Sequence, residues 1–74
     1  MPTYFFDDDR YLDTAGVEYT DDREARRAAM LTLPAIAAEQ IVLGSDQQSF
    51  SMTVRDTSGR DVYSARITFD GFLN

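Results

Sequence analysis

The sequence contains no histidine, cysteine, lysine or tryptophan. These absences remove the side chains that most often act near neutral pH as general bases, thiolate nucleophiles, Schiff-base amines or soft-metal ligands. No residue stands out as catalytic, so the expectation is a domain that is not an enzyme and carries no cofactor. Without cysteine there is no disulfide framework, and stability must come from packing, as it does in most proteins of reducing compartments. A cytoplasmic location is the corresponding expectation. Met1 to Asp9 shows neither a basic n-region nor an apolar h-region, and the apolar runs fall far short of the ~20 residues of a membrane span. No membrane association is expected.

Residues 1–74, of which 43% are apolar, suffice for one domain with one core. Such a core has a net stability of about 3 to 5 kcal/mol and little capacity for an internal substrate cavity. Thirteen acids against seven arginines give a formal charge of −6. That charge repels phosphates over roughly a Debye length, about 8 Å in physiological salt, so nucleic acid is disfavoured as a partner.

Alternation is clearest in Ser49 to Arg55, where Phe50, Met52 and Val54 share one side of a predicted strand. Asp56, Thr57, Ser58 and Gly59 then suit a tight turn, and Val62 to Phe69 alternates again with Tyr63, Ala65, Ile67 and Phe69 in its apolar row. A second, looser hairpin is predicted between Thr3–Asp7 and Val17–Tyr19. Its turn, Asp13, Thr14, Ala15 and Gly16, has the same chemistry.

Between the hairpins, Asp21 followed three positions later by Glu24 marks a helix start, and the helix should run to about Ile41. Steps of 100° place Ala25, Ala29, Leu33, Ile36 and Ala37 on one stripe, flanked by Met30 and Ile41. Pro34 lies inside this pattern and predicts a kink or two short helices. Gly44 is a candidate left-handed C-cap. The expected fold is α+β: a four-stranded antiparallel sheet of two hairpins with one helix on one face, in ββαββ order, with the strand order left open.

The aromatic start Tyr4, Phe5, Phe6, Asp7, the passage Gly16, Val17, Glu18 into an alanine-rich helix after Asp21, and the closing Val54, Arg55, Asp56, Gly59, Arg60, Val62 together carry a likeness. The chain resembles a family of short bacterial domains of unknown function with strand-strand-helix-strand-strand order. The resemblance implies a scaffold and no chemistry. This chain departs from the pattern at Asp7, Asp8 and Asp9, where a glycine is common, and at Pro34. A longer or irregular first hairpin is implied.

Candidate sites follow from the faces. Ser51, Thr53, Arg55, Ser64, Arg66 and Thr68 point away from the helix, and either Phe5 or the pair Tyr4 and Phe6 must join them. Such an aromatic and arginine platform could meet a protein partner or stack single-stranded bases. The alternative is that Phe72 and Leu73 cover the extra aromatic. On the helix, Leu31, Ala35 and Ala38 form a second apolar side that suits self-association. The candidate interface is therefore Phe5, Leu31, Ala35, Ala38, Arg55 and Arg66.

Arg23, Arg26 and Arg27, beside Asp21, Asp22 and Glu24, read as a solvated salt-bridged face. Asp7, Asp8, Asp9 and Asp13 could hold a Ca²⁺-type cation, but their spacing does not match an EF-hand, and a solvated turn is the plainer reading. The functional expectation is a noncatalytic protein-interaction module, with a homodimer as one form of it. The alternatives are a nucleic-acid-associated or antitoxin-like regulator using the outer sheet face, and the weak cation site of the Asp7–Asp13 loop.

Overall fold

The computed structural model describes residues 1–74, and its longest strands are the two that the alternation predicts. β3 (Gln47–Asp56) and β4 (Asp61–Asp70) pair antiparallel, with Phe50 opposite Ile67, Met52 opposite Ala65 and Val54 opposite Tyr63. Opposed side chains on one face lie ~4.5 to 5.5 Å apart, so these pairs make a continuous apolar floor. Phe50, Met52 and Val54 are buried. The register slips between Val54 and Arg55, which faces Asp61, so a bulge adjoins the turn.

The turn itself is held by Asp56. Its Oδ1 accepts the N–H groups of Ser58 and Arg60, both at 3.0 Å, while Gly59 takes φ +87°. A Cβ on Gly59 would meet nothing within 4 Å, so the backbone angle alone requires glycine there.

β1 (Thr3–Asp8) lies on the other side of β3, also antiparallel, and β2 (Val17–Glu18) pairs only with Thr3 and Tyr4 at its start. The strand order is β2-β1-β3-β4. One helix and four antiparallel strands make an α+β fold in ββαββ order. The first hairpin is irregular, with a two-residue return strand and a loop that folds back on β1.

α1 (Asp22–Ile41) runs over β3 and β4. Asp21 caps it by accepting the Glu24 N–H at 3.0 Å, and the Glu24 carboxylate reaches back to the Thr20 N–H at 3.4 Å. Ala25, Ala29, Leu33 and Ala37 are buried on the stripe, and Ile36 and Ile41 pack partly against it. Met30 on the flank is 48% exposed. Small alanines bring the helix close to the sheet, and Leu33 fills the gap further along.

Two expectations for this helix are corrected. Of the kink or two short helices that Pro34 predicts, the two short helices are not formed: α1 is one element of 20 residues. The proline sits on the exposed side, where water can serve the Met30 carbonyl that its missing N–H leaves open. Gly44 is not a left-handed cap, because Gly16 and Gly59 are the glycines with positive φ. The helix instead ends in tight backbone turns, Leu43 N–H donating to the Gln40 carbonyl at 3.1 Å and Gly44 N–H to the Ile41 carbonyl at 3.3 Å. The Gln48 side chain is added to these: its Nε2 donates to the Ile41 carbonyl at 2.8 Å and to the Ser45 carbonyl at 2.7 Å. A Cβ on Gly44 would stand 2.6 Å from Gln48 Oε1, so glycine makes room for that side chain.

The helix leaves the inner face of β1 to Tyr19. Its ring lies 6.3 Å from Tyr4 and 6.0 Å from Phe6. The buried Tyr4 donates its hydroxyl to Asp22 Oδ1 at 2.7 Å and so ties β1 to the first turn of the helix. Only eight residues are buried, three of them alanines, so the core is small and much apolar surface remains outside it. No helix is long and apolar enough to cross a membrane.

Candidate functional site

On the outer face of the sheet, Phe5 is the aromatic that turns away from the helix, since Tyr4 and Phe6 occupy the inward positions. Phe5 stands opposite Arg55, and Asp7 opposite Thr53. The Arg55 guanidinium lies over the Phe5 ring with its carbon 4.7 Å from the centroid, within cation–π range. Arg55 Nε donates to Asp7 Oδ2 at 2.6 Å, and Nη2 donates to Asp7 Oδ1 at 3.3 Å and to the Asp13 carbonyl at 2.8 Å. One planar fork thus joins a ring, a carboxylate and a loop carbonyl.

Electrostatics follow this geometry. The hydrogen bonds from Arg55 hold the Asp7 carboxyl below the usual carboxylate range, against the opposing effect of partial burial, with the Asp13 N–H adding to the lowering. The same bonds push the Arg55 guanidinium further up, so both remain charged.

Asp13 organises the loop above them. Its carboxylate accepts from the N–H groups of Phe6 at 3.1 Å, Ala15 at 3.0 Å and Gly16 at 3.2 Å, and the Phe6 N–H above all lowers its pKa. Gly16, at φ +74°, brings the loop so near that a Cβ there would lie 2.7 Å from Thr3 Cγ2 and 3.0 Å from Phe5 Cε1. This loop covers the outer aromatic. Phe72 and Leu73, the cover considered from sequence, are 76% and 100% exposed.

The other acids of the cluster are also occupied: Asp8 Oδ1 accepts from the N–H groups of Arg10 and Tyr11, and Asp9 Oδ2 from that of Ser51. Three or more carboxylates do not gather anywhere in a group that could hold a metal ion. The candidate cation site of Asp7 to Asp13 is a set of backbone-capping acids.

The six candidate interface residues divide between two surfaces. Phe5 and Arg55 are half-buried and engaged with each other, while Arg66, opposite Ser51, stands exposed on the same sheet face. Leu31, 66% exposed, and the exposed Ala35 and Ala38 lie on the outward side of the helix. At the helix start a shallow groove is lined by Asp21, Glu24, Arg23, Arg26 and Arg27 together with Met30 and Leu31. The expected salt bridges are not made there: the side-chain ion pairs are Arg55–Asp7, Arg60–Asp22 and Arg60–Asp56. Arg26 instead lies over the Tyr63 ring at 5.8 Å.

Sequence reasoning missed the Asp7–Arg55 pair and the Tyr4–Asp22 bond, because both depend on strand and helix placement across the chain. The Asp13 turn had a readable signal in its Asp-Thr-Ala-Gly run. Its second use, capping a β1 amide, had none.

A family model for a domain of unknown function, DUF6894, matches residues 3–68. The chain belongs to this family. Its match spans every strand but the last two residues of β4, and the helix, so the family likeness covers the whole scaffold. Comparison with curated proteins and with solved structures found no match.

Proposed function

We propose that this domain is a noncatalytic protein-interaction module that binds through apolar surface rather than through its charged side chains. One observation carries the reading. The charged groups with the best geometry, Asp7, Asp13, Asp56, Arg55 and Arg60, are engaged inside the chain, whereas Met30, Leu31, Ala35 and Ala38 lie exposed along one helix. Single exposed apolar residues are ordinary, but a row such as Leu31, Ala35 and Ala38, spaced i, i+4 and i+7 on one side of the helix, is what interaction surfaces present.

The outer sheet face supports nucleic-acid stacking less well. Phe5 lies under Arg55 and the Gly16 loop, and Arg55 is tied to Asp7, which leaves Arg66 as the exposed cation beside a net charge of −6.

The test is a concentration series of backbone amide shifts from about 50 μM to 1 mM, a range that detects weak association. The reading expects progressive shifts at exposed apolar positions and none at Asp7, Asp13 or Arg55. Unchanged spectra, together with a failure to retain any protein in pull-downs with the immobilised domain, would sink it.

A further inference from the structure

The two edges of the sheet are finished differently. On the β1 side, β2 pairs with Thr3 and Tyr4, the Asp13 carboxylate accepts the Phe6 N–H at 3.1 Å, and the Tyr11 carbonyl accepts the Asp8 N–H at 3.2 Å. Outward donors of β1 are therefore taken one after another. β4 is the terminal strand on the other side, ten residues long, with neither proline nor glycine to blunt it.

The parity of the ladder shows which groups β4 leaves open. In β3 the Ser51 N–H turns to the β1 side, to Asp9 Oδ2, whereas Asp56 N–H donates to the Arg60 carbonyl on the β4 side, and Asp46, just before the strand, accepts there from Gly71 N–H. Even positions of β3 thus bond to β4, and their opposites Tyr63, Ala65 and Ile67 bond back. The N–H and C=O groups of Ser64, Arg66 and Thr68 point out of the sheet.

Apolar cover is unfinished along the same edge. Tyr63, Ala65, Ile67 and Phe69 are each only partly buried. The helix flank above them is marked by Arg26 over Tyr63, and it continues one and two turns on into the half-exposed Met30 and the exposed Pro34.

Building on the interaction reading, we infer that β4 pairs antiparallel with β4 of a second copy about a two-fold axis at Ala65, giving one continuous eight-stranded sheet. Strand length and charge together select the register: an axis at Ala65 or at Arg66 pairs the greatest length of the ten-residue β4, and charge decides between those two. With Ala65 on the axis, Ser64 faces Arg66 of the second copy, Tyr63 faces Ile67, and Asp70 comes opposite Arg60 just beyond the strand. Placing Arg66 on the axis would oppose two guanidinium groups, which is destabilising.

The helices fit as well. A helix lying over β3 and β4, with strands ~4.8 Å apart, would put the two helix axes roughly 10 Å apart, at the upper end of ordinary helix packing. Met30 and Pro34 lie on the flank that would close between them.

The experiment combines sedimentation equilibrium with single-cysteine cross-linking, which is clean because the chain has no cysteine of its own. Residues opposed in a non-hydrogen-bonded pair have Cα atoms ~4.5 Å apart, within disulfide range, so Ala65→Cys is expected to oxidise to a covalent dimer and Leu31→Cys to stay monomeric. Ser64→Pro removes an outward donor without touching the β3 ladder and should raise the dimer dissociation constant about tenfold or more. Should that variant unfold, a mixture of Ser64→Cys and Arg66→Cys chains gives the same information: the mixture cross-links and neither chain alone does. A dimer that links through Leu31→Cys and not Ala65→Cys overturns this inference and leaves the interaction reading intact. A wild-type chain still monomeric at about 1 mM overturns it outright.

Discussion

Asp7 and Arg55 stand 48 residues apart in sequence and share two hydrogen bonds, at 2.6 and 3.3 Å, across the β1–β3 boundary. The same guanidinium lies on Phe5 and donates to the Asp13 carbonyl. A lysine could replace the charge but not the fork or the flat face. Arg55→Lys is therefore expected to lower the urea midpoint nearly as far as Arg55→Met does. A lysine variant as stable as the wild type would show that charge alone matters there.

Asp13 closes the exposed part of the β1 edge with one carboxylate shared among three amides. In Asp13→Ala those amides lose their acceptor, and hydrogen exchange at Phe6, Ala15 and Gly16 should accelerate by at least about tenfold through local opening. Amides of the β3–β4 hairpin should keep their protection. Unchanged exchange at Phe6 would mean that the loop does not guard this edge.

The two turn glycines make a comparison with a built-in control. Both Gly16 and Gly59 have positive φ, so alanine at either costs roughly 1 to 2 kcal/mol in backbone strain. At Gly59 the cost should end there, since the added Cβ meets nothing. At Gly16 the Cβ would stand 2.7 Å from Thr3 Cγ2, so the loop must also lift from Phe5. Denaturant unfolding is expected to rank Gly16→Ala as the more harmful change, with equal losses as the contrary result.

Local features of the fold were legible because their causes lie within a few residues. Alternation over Ser49–Arg55 and Val62–Phe69 marks both long strands, and Asp21 with Glu24 marks the helix start. Distant pairing was not legible. Nothing near Asp7 or Arg55 in the chain says that β1 lies against β3 rather than at the sheet's far side, and so neither the platform's closure by Arg55 nor the open edge of β4 could be read. Whether Pro34 would split the helix was not legible for a different reason: the cost of a lost helical hydrogen bond depends on whether water can reach the freed carbonyl, and burial is a property of the fold.

Stability against pH should show a broad plateau with two limbs, because the side chains that ordinarily titrate between about pH 5 and 9, histidine and cysteine, are absent. On the acid side, Asp7, Asp13 and Asp56 ionise more readily in the folded chain, Asp56 down to about 2 chiefly through the Ser58 hydroxyl, with backbone and side-chain bonds from Arg60 also lowering it. The unfolded chain then binds more protons, and their stabilisation, complete well above about pH 4, drains away as the pH falls through the folded values. On the alkaline side, the bond from the Tyr4 hydroxyl to Asp22 is the main cause that pushes this phenol up to about 12. The folded state keeps the proton that the unfolded state has lost, so this contribution is whole below about pH 10 and vanishes as the pH rises through the folded value. Urea midpoints measured across the range should flatten at the acid limb in Asp56→Asn, which keeps an acceptor for the turn, and at the alkaline limb in Tyr4→Phe. A wild-type midpoint that moves substantially between about pH 6 and 8, or an alkaline limb untouched by Tyr4→Phe, would contradict this assignment of protons to residues.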